Sequence, residues 1–164
     1  MRWIILVAAL GIAGCDTKTA EEQAADDARD VAIVRANQEP PPEELEPQAI
    51  LYPDIEEHDL FGAGCSFVPE GGGLGAIAIA MENEGYMKRG EAILKFAADL
   101  GSAELPYLAR RKYDGLDYSF TLDLEGAHGE KSGMETVDYP ARLAVKDGQD
   151  RVIYESDGMA QCGA

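Results

Sequence analysis

Histidine is scarce in this chain of 164 residues, with only His58 and His128. Cysteine appears three times, at Cys15, Cys65 and Cys162. A protein zinc site takes four Cys, His or carboxylate ligands at short spacings, and neither histidine has such neighbours. Both histidines therefore read as surface side chains. A Ser-His-Asp site could use only Ser66 or Ser132 with His128, and no Gly-x-Ser-x-Gly elbow accompanies either serine. Basic residues are also few: 14 Lys and Arg against 31 Asp and Glu, a net charge of −17. Nucleic-acid binding depends on cations that neutralise phosphates, so this balance argues against it, and equally against adhesion to anionic lipid head groups. No apolar run reaches the roughly 20 residues of a bilayer-spanning helix. The glycines between Gly71 and Gly75 lack the Gly-Lys-Ser/Thr that completes a phosphate loop. No catalytic set, metal site or cofactor motif is predicted.

Two weaker clusters remain. Asp114, Asp117 and Asp123 lack the spacing of a calcium-binding EF-hand loop and read as a solvated face. Arg110-Arg111-Lys112 is the only basic cluster, open to an anion or a partner but expected to pair with neighbouring acids.

What the chain does have begins at its start. Arg2 precedes an apolar run from Trp3 to Ile12, too short to span a membrane and of the length of a secretory h-region. It ends in Ile12-Ala13-Gly14-Cys15, which resembles the lipobox of bacterial lipoprotein precursors. The resemblance implies cleavage after residue 14 and diacylglycerol on the Cys15 sulfur. Two or three acyl chains then anchor the protein without spanning the bilayer. Asp16 follows directly, which in that family leans toward retention at the inner membrane. The expected location is the bacterial cell envelope, facing the periplasm, with the membrane as a partner through the lipid.

Charge then divides the chain. Residues 16–60 hold 14 acids and 3 bases, and residues 61–164 hold 17 and 10. This marks an acidic tether, taken as residues 15–50, ahead of a domain over residues 51–164. Thr19-Ala20-Glu21-Glu22 fits a capping box, and Ala20, Ala24, Ala28, Val31 and Val34 form a thin stripe. The stretch reads as a marginal helix or as a disordered tether that becomes helical on a partner. Pro40-Pro41-Pro42 and Pro47 predict an extended, semi-rigid spacer. Pro53-Asp54-Ile55-Glu56-Glu57 predicts one short helical piece.

From Gly62 onward the pattern is β. Cys65–Val68, Ala76–Met81, the hairpin Tyr86–Lys88 with Glu91–Phe96, Arg110–Tyr113, Leu116–Glu125, Thr136–Val145 and Arg151–Cys162 read as strands. In Ala76–Met81 the isoleucines share one face and the alanines the other. Leu116, Tyr118, Phe120, Leu122 and Leu124 alternate with polar residues, as in a half-buried antiparallel strand. Pro140 suggests an edge or a bulge, and residues 126–133 read as a polar loop. Seven or eight short strands with frequent turns predict a small antiparallel barrel or sandwich.

The lipobox implies an oxidising compartment. With Cys15 carrying lipid, Cys65 and Cys162 are left as an even pair, expected to bridge the first and last strands. The lipobox, the size and this outer pair loosely resemble the lipoprotein inhibitors of chicken-type lysozyme, which are small β-barrels suited to a basic enzyme. Their Ser-Gly-x-x-Tyr segment is not reproduced, because Ser132-Gly133 is followed by Met134-Glu135-Thr136. No site residue is carried over. The reading is a non-enzymatic binding module with an unidentified envelope protein as partner. Inhibition of a lysozyme-like enzyme is the alternative, and a hydrolase comes after it.

Overall fold

The structure, a computed structural model, describes residues 18–38, 41–126 and 128–164. The segment expected to serve in targeting, with Cys15 and Asp16, lies outside them. The chain forms two compact units, one up to Pro41 and one from Pro42 to Ala164. In the first, α1 (Ala20–Gln38) is a helix of 19 residues with no buried side chain. Its expected capping box is formed. The Thr19 N–H donates to Glu22 Oε2 at 2.8 Å, and the Glu22 N–H donates to Thr19 Oγ1 at 3.2 Å. Local terms hold this helix: the cap, acids in its first turn and the Lys18–Asp26 ion pair. No described helix is long and apolar enough to cross a membrane.

The second unit is a closed antiparallel barrel. Its strands are β1 (Gly64–Pro69), β2 (Ala78–Met81), β3 (Glu84–Arg89), β4 (Ala92–Ala98), β5 (Lys112–Asp114), β6 (Tyr118–Leu124), the two-residue β7 (Glu130–Lys131), β8 (Val137–Asp147) and β9 (Val152–Gly163). Each strand from β1 to β6 pairs with the next, β6 pairs with β8, β8 with β9, and β9 returns to β1. Eight strands thus close on themselves, and β7 adds a short pair to the start of β8. Of the two architectures expected, the barrel is found. Closure removes the exposed edges that a sandwich would leave.

Period-two alternation sorts the side chains. Cys65 and Phe67 on β1, Ala78 and Ala80 on β2, Met87 on β3, Phe96 on β4, Tyr113 on β5, Phe120 and Leu122 on β6, Leu143 and Val145 on β8, and Ala160 and Cys162 on β9 are all buried in one core. Cys65 and Cys162 are register partners on β1 and β9, with Cα atoms 4.0 Å apart, and are joined by a disulfide. The bridge therefore fastens the seam where the barrel closes.

β2 is buried on both faces. Its alanines face inward, while Ile79 lies with Ile50 and Leu60 in a second cluster outside the barrel, packed by Ile55, Tyr86 and Ile93. Ile55 belongs to α2 (Tyr52–His58), the expected short helix, whose start is fixed by the Leu51 N–H donating to Asp54 Oδ2 at 2.8 Å.

The structure differs from the pattern reading in four places. First, the spacer does not run to residue 50. Leu45 and Ile50 are buried, the Gln48 N–H donates to the Lys88 carbonyl at 2.8 Å, and the Ile50 N–H donates to the Ala76 carbonyl at 2.7 Å. Residues 42–50 are thus an arm of the barrel unit: extended as expected, but laid against it. Second, Leu116 is fully exposed, because the chain is still turning there and β6 begins at Tyr118. Third, residues 126–133 contain β7. Fourth, the register shift in β8 falls between Val145 and Lys146, so of the edge or bulge expected at Pro140 only the edge is found, just past the end of the β6 ladder. Pro140 accepts the Glu125 N–H through its carbonyl at 2.7 Å, and its missing N–H falls on that same side, where β6 has ended.

Candidate binding surface

The barrel interior is occupied by its own side chains. Tyr113, Phe67, Phe120, Met87, Leu122, Leu143 and Val145 are the largest fully buried ones. Phe120 stacks on Tyr113 with ring centroids 4.7 Å apart and meets Phe96 edge-on at 5.0 Å. Gly85 makes room for this cluster, since a Cβ there would sit 2.6 Å from Phe120 Cζ. Tyr113 donates its hydroxyl to the Met81 carbonyl at 2.6 Å and accepts the Arg110 N–H at 2.7 Å. Burial pushes its phenol pKa upward.

Both ends of the barrel are covered. At one end the arm delivers Leu45 into the core, with its N–H directed at the Ile153 carbonyl, and Glu43 pairs with Arg89. At the other end the loop after β4 folds inward. Ala109 is buried, the Tyr107 hydroxyl donates to the Glu135 carbonyl, and Tyr107 and Leu108 both adopt left-handed backbone conformations with φ of 56° and 62°. Two consecutive non-glycine residues of this kind cost about 1–2 kcal/mol each. The barrel is thus a packed core, and a ligand must meet it from outside.

The candidate residues are dispersed. His128 and His58 are exposed. Ser132 donates to Asp138 at 2.8 Å, and among the described residues no hydrogen bond joins His128 to Ser132 or Ser66. Asp123 pairs with Arg111 and Asp114 with Lys112, so these two of the three aspartates turn to different partners. Arg110 reaches Glu104 at 3.3 Å. The basic cluster is therefore tied into ion pairs with neighbouring acids. Arg110 Nε is the one buried side-chain polar atom without a partner among the described residues. No group of three or more His, Cys, Asp or Glu able to hold a metal is found among them.

Asp54 and Tyr86 are among the groups on the outer wall with shifted acidity. Asp54 is held below its ordinary value, chiefly by the hydrogen bond from Lys88 Nζ at 2.6 Å and then by the Leu51 N–H. Burial pushes Tyr86 up to about 12, and its bond to Glu84 adds to the shift. Both belong to the packing of α2 and the arm against β3.

A groove of about 550 Å³ lies on the outer wall. Its lining includes Val68, Pro140 and Met159 as an apolar floor and Glu70, Glu125 and Asp157 as an acidic rim. Met159 falls within the expected last strand, Arg151–Cys162, but no local stretch of sequence marks the groove, because its parts come from β1, β9 and β8. The site and fold together define a solid-cored, disulfide-closed β-barrel with an acid-rimmed outer groove. Comparison with protein-family models, with curated proteins and with solved structures finds no match for this chain.

Proposed function

We propose that the chain is a lipid-anchored protein of the bacterial cell envelope whose barrel binds a protein partner without transforming it. The observation that carries this reading is the filled interior. An eight-stranded barrel can hold one small ligand only if its core is left open, and here aromatic and aliphatic side chains occupy that space. Recognition is then left to the outer wall. Ile12-Ala13-Gly14-Cys15 supports the anchor, with acyl chains on Cys15, the domain facing the periplasm and Asp16 favouring the inner membrane. The net charge of −17 suits a basic protein partner and not nucleic acid.

Two measurements test it. Cells fed a clickable fatty acid should label the wild type and not Cys15→Ser, and the variant should leave the membrane fraction. The protein extracted in mild detergent should then retain a saturable envelope partner. Turnover of a substrate by the purified protein would overturn the binding-only reading. A second reading is inhibition of a lysozyme-like enzyme. It is favoured by the disulfide between β1 and the last strand of an eight-stranded acidic barrel. Full lysozyme activity in the presence of excess protein excludes it.

A further inference from the structure

The groove carries a pattern that no local stretch of sequence shows. Val68 and Met159 are register partners on β1 and β9, and Met159 and Pro140 are register partners on β9 and β8. Their neighbours Phe67, Ala160 and Ala141 are buried, so by alternation these three point outward. They form an apolar row across three strands, about 10 Å long at the usual strand spacing. That is room for one large aliphatic or aromatic side chain. Met159 is 43% exposed, so the row is not covered by the rest of the described chain.

Charge frames the row. Two residues along the strands lie the register partners Asp157 and Arg142, joined at 2.8 Å. Beside them the Glu70 N–H donates to the Asp157 carbonyl at 2.9 Å. On the opposite side the next outward row is Ser66, Gln161 and Asp138. Asp138 is met there by the neutral donors Ser132 Oγ and Gln161 Nε2. Glu125 stands next to Pro140, to which its N–H is bonded. Arg142 is the one base lining the groove; Asp157 and Glu155 pair with it, and Glu125 lies within its longer electrostatic reach. Glu70 and Glu125 make no ion pair among the described residues.

We infer that this groove receives an extended segment of a basic partner protein. One apolar side chain lies on the Val68–Met159–Pro140 row, and a lysine or arginine on either side meets Glu70 and Glu125. In an extended chain, alternate residues share a face, so a basic-x-apolar-x-basic stretch spans about 13 Å. That is commensurate with a 10 Å row and its flanks. A second copy of this chain is disfavoured as the occupant, because each copy carries −17. An anionic bilayer is disfavoured for the same reason. The inference rests on the reading of the chain as a binding protein and names the chemistry of its partner.

The test uses the full-length protein extracted in nonionic detergent. The probe is a fluorescent peptide, Ala-Ser-Lys-Ser-Leu-Ser-Lys-Ser-Ala, followed by anisotropy. Saturable one-site binding is expected, with affinity falling about tenfold between 50 and 300 mM salt. Replacing both peptide lysines by glutamate, or its leucine by serine, should abolish it. The pair Glu70→Lys with Glu125→Lys, and separately Met159→Asp, should each weaken binding by about tenfold or more. Glu91→Lys, the same charge reversal on an exposed turn, should leave it unchanged. Circular dichroism and melting temperature confirm that each variant is folded. Absence of saturable binding, or binding that ignores the groove substitutions, overturns the inference. An envelope partner retained equally by wild type and by the Glu70→Lys, Glu125→Lys pair overturns the groove alone and leaves the binding-protein reading standing. If neither peptide nor envelope partner binds, both fall.

Discussion

Tyr113 joins the two kinds of order in this barrel. Its ring is fully buried against Phe120, and its hydroxyl holds the Met81 carbonyl on one side and the Arg110 N–H on the other. Tyr113→Phe keeps the ring and strips both backbone groups of their partner. An unsatisfied buried group costs about 1–3 kcal/mol. Urea denaturation should show a loss in that range with an unchanged m-value, and no loss would mean that water replaces the hydroxyl. Asp54 offers a pH-dependent counterpart. Its side chain and that of Lys88 are about 15% exposed, and the pair ties α2 to β3. Lys88 and the Leu51 N–H hold the carboxyl below its ordinary 3.8 in the folded state. The unfolded chain therefore takes up the proton first as pH falls. The contribution is fully present above about pH 4 and is lost as pH drops through the lower folded value. On the alkaline side Lys88 is raised above 10.5 by the same bond, so its share is lost as pH rises through that higher value. Asp54→Asn should be less stable than wild type at pH 7, and the gap should narrow progressively as the pH falls below about 4. A gap that does not change with pH on the acid side would assign the effect to packing instead of charge.

At the scale of elements, alternation made most strands legible. Phe120, Leu122 and the alanine–isoleucine split of β2 fall where period two places them. What stayed hidden has a common physical cause: it depends on partners distant in sequence. Leu45 is a single apolar residue among prolines and glutamates and Ile50 lies in a short apolar stretch, with no periodicity to mark either, and only a binding place on the barrel makes them core. β7 is too short to carry a pattern. Leu116 continues the alternation of β6 past the point where Gly115 turns the chain. The candidate groove was invisible for the same reason as the arm, because its apolar row exists only once β1, β9 and β8 are in register. The arm also yields a sharp expectation. If residues 42–50 belong to the barrel, Leu45→Ala should destabilise it by about 2–5 kcal/mol, as buried Leu truncations do. If they were a spacer, thermal melting would not change.

At the scale of the whole molecule, the decisive contact is the one between the chain's first and last strands. Every other strand pair in the barrel closes over a short or moderate connection, whereas β1 and β9 meet across most of the unit. That contact carries the largest loop-closure entropy, and the Cys65–Cys162 bridge sits on it with a sequence separation of 97. Fixing such a loop in the unfolded chain is worth about 4–5 kcal/mol in the chain-entropy model. Both cysteines are essentially inaccessible, at 1% and 0% exposure, so a reductant cannot reach the bridge until the barrel opens. Two behaviours follow for the same protein. Native protein treated with dithiothreitol at 25 °C should keep its β-sheet signal and react slowly. After one unfolding cycle in reductant, the melting temperature should fall by more than about 10 °C, and the double variant Cys65→Ser, Cys162→Ser should match that lower value. Equal melting temperatures with and without the bridge would mean that β1–β9 pairing and the shared core suffice to close the barrel. Fast reaction of the native protein would instead mean that the seam opens locally without global unfolding. The charge of the molecule works in the same direction as the lost bridge, since a chain at −17 repels itself most when compact. Added salt should therefore raise the melting temperature of the reduced form more than that of the oxidised form, in which closure no longer depends on the balance between repulsion and pairing.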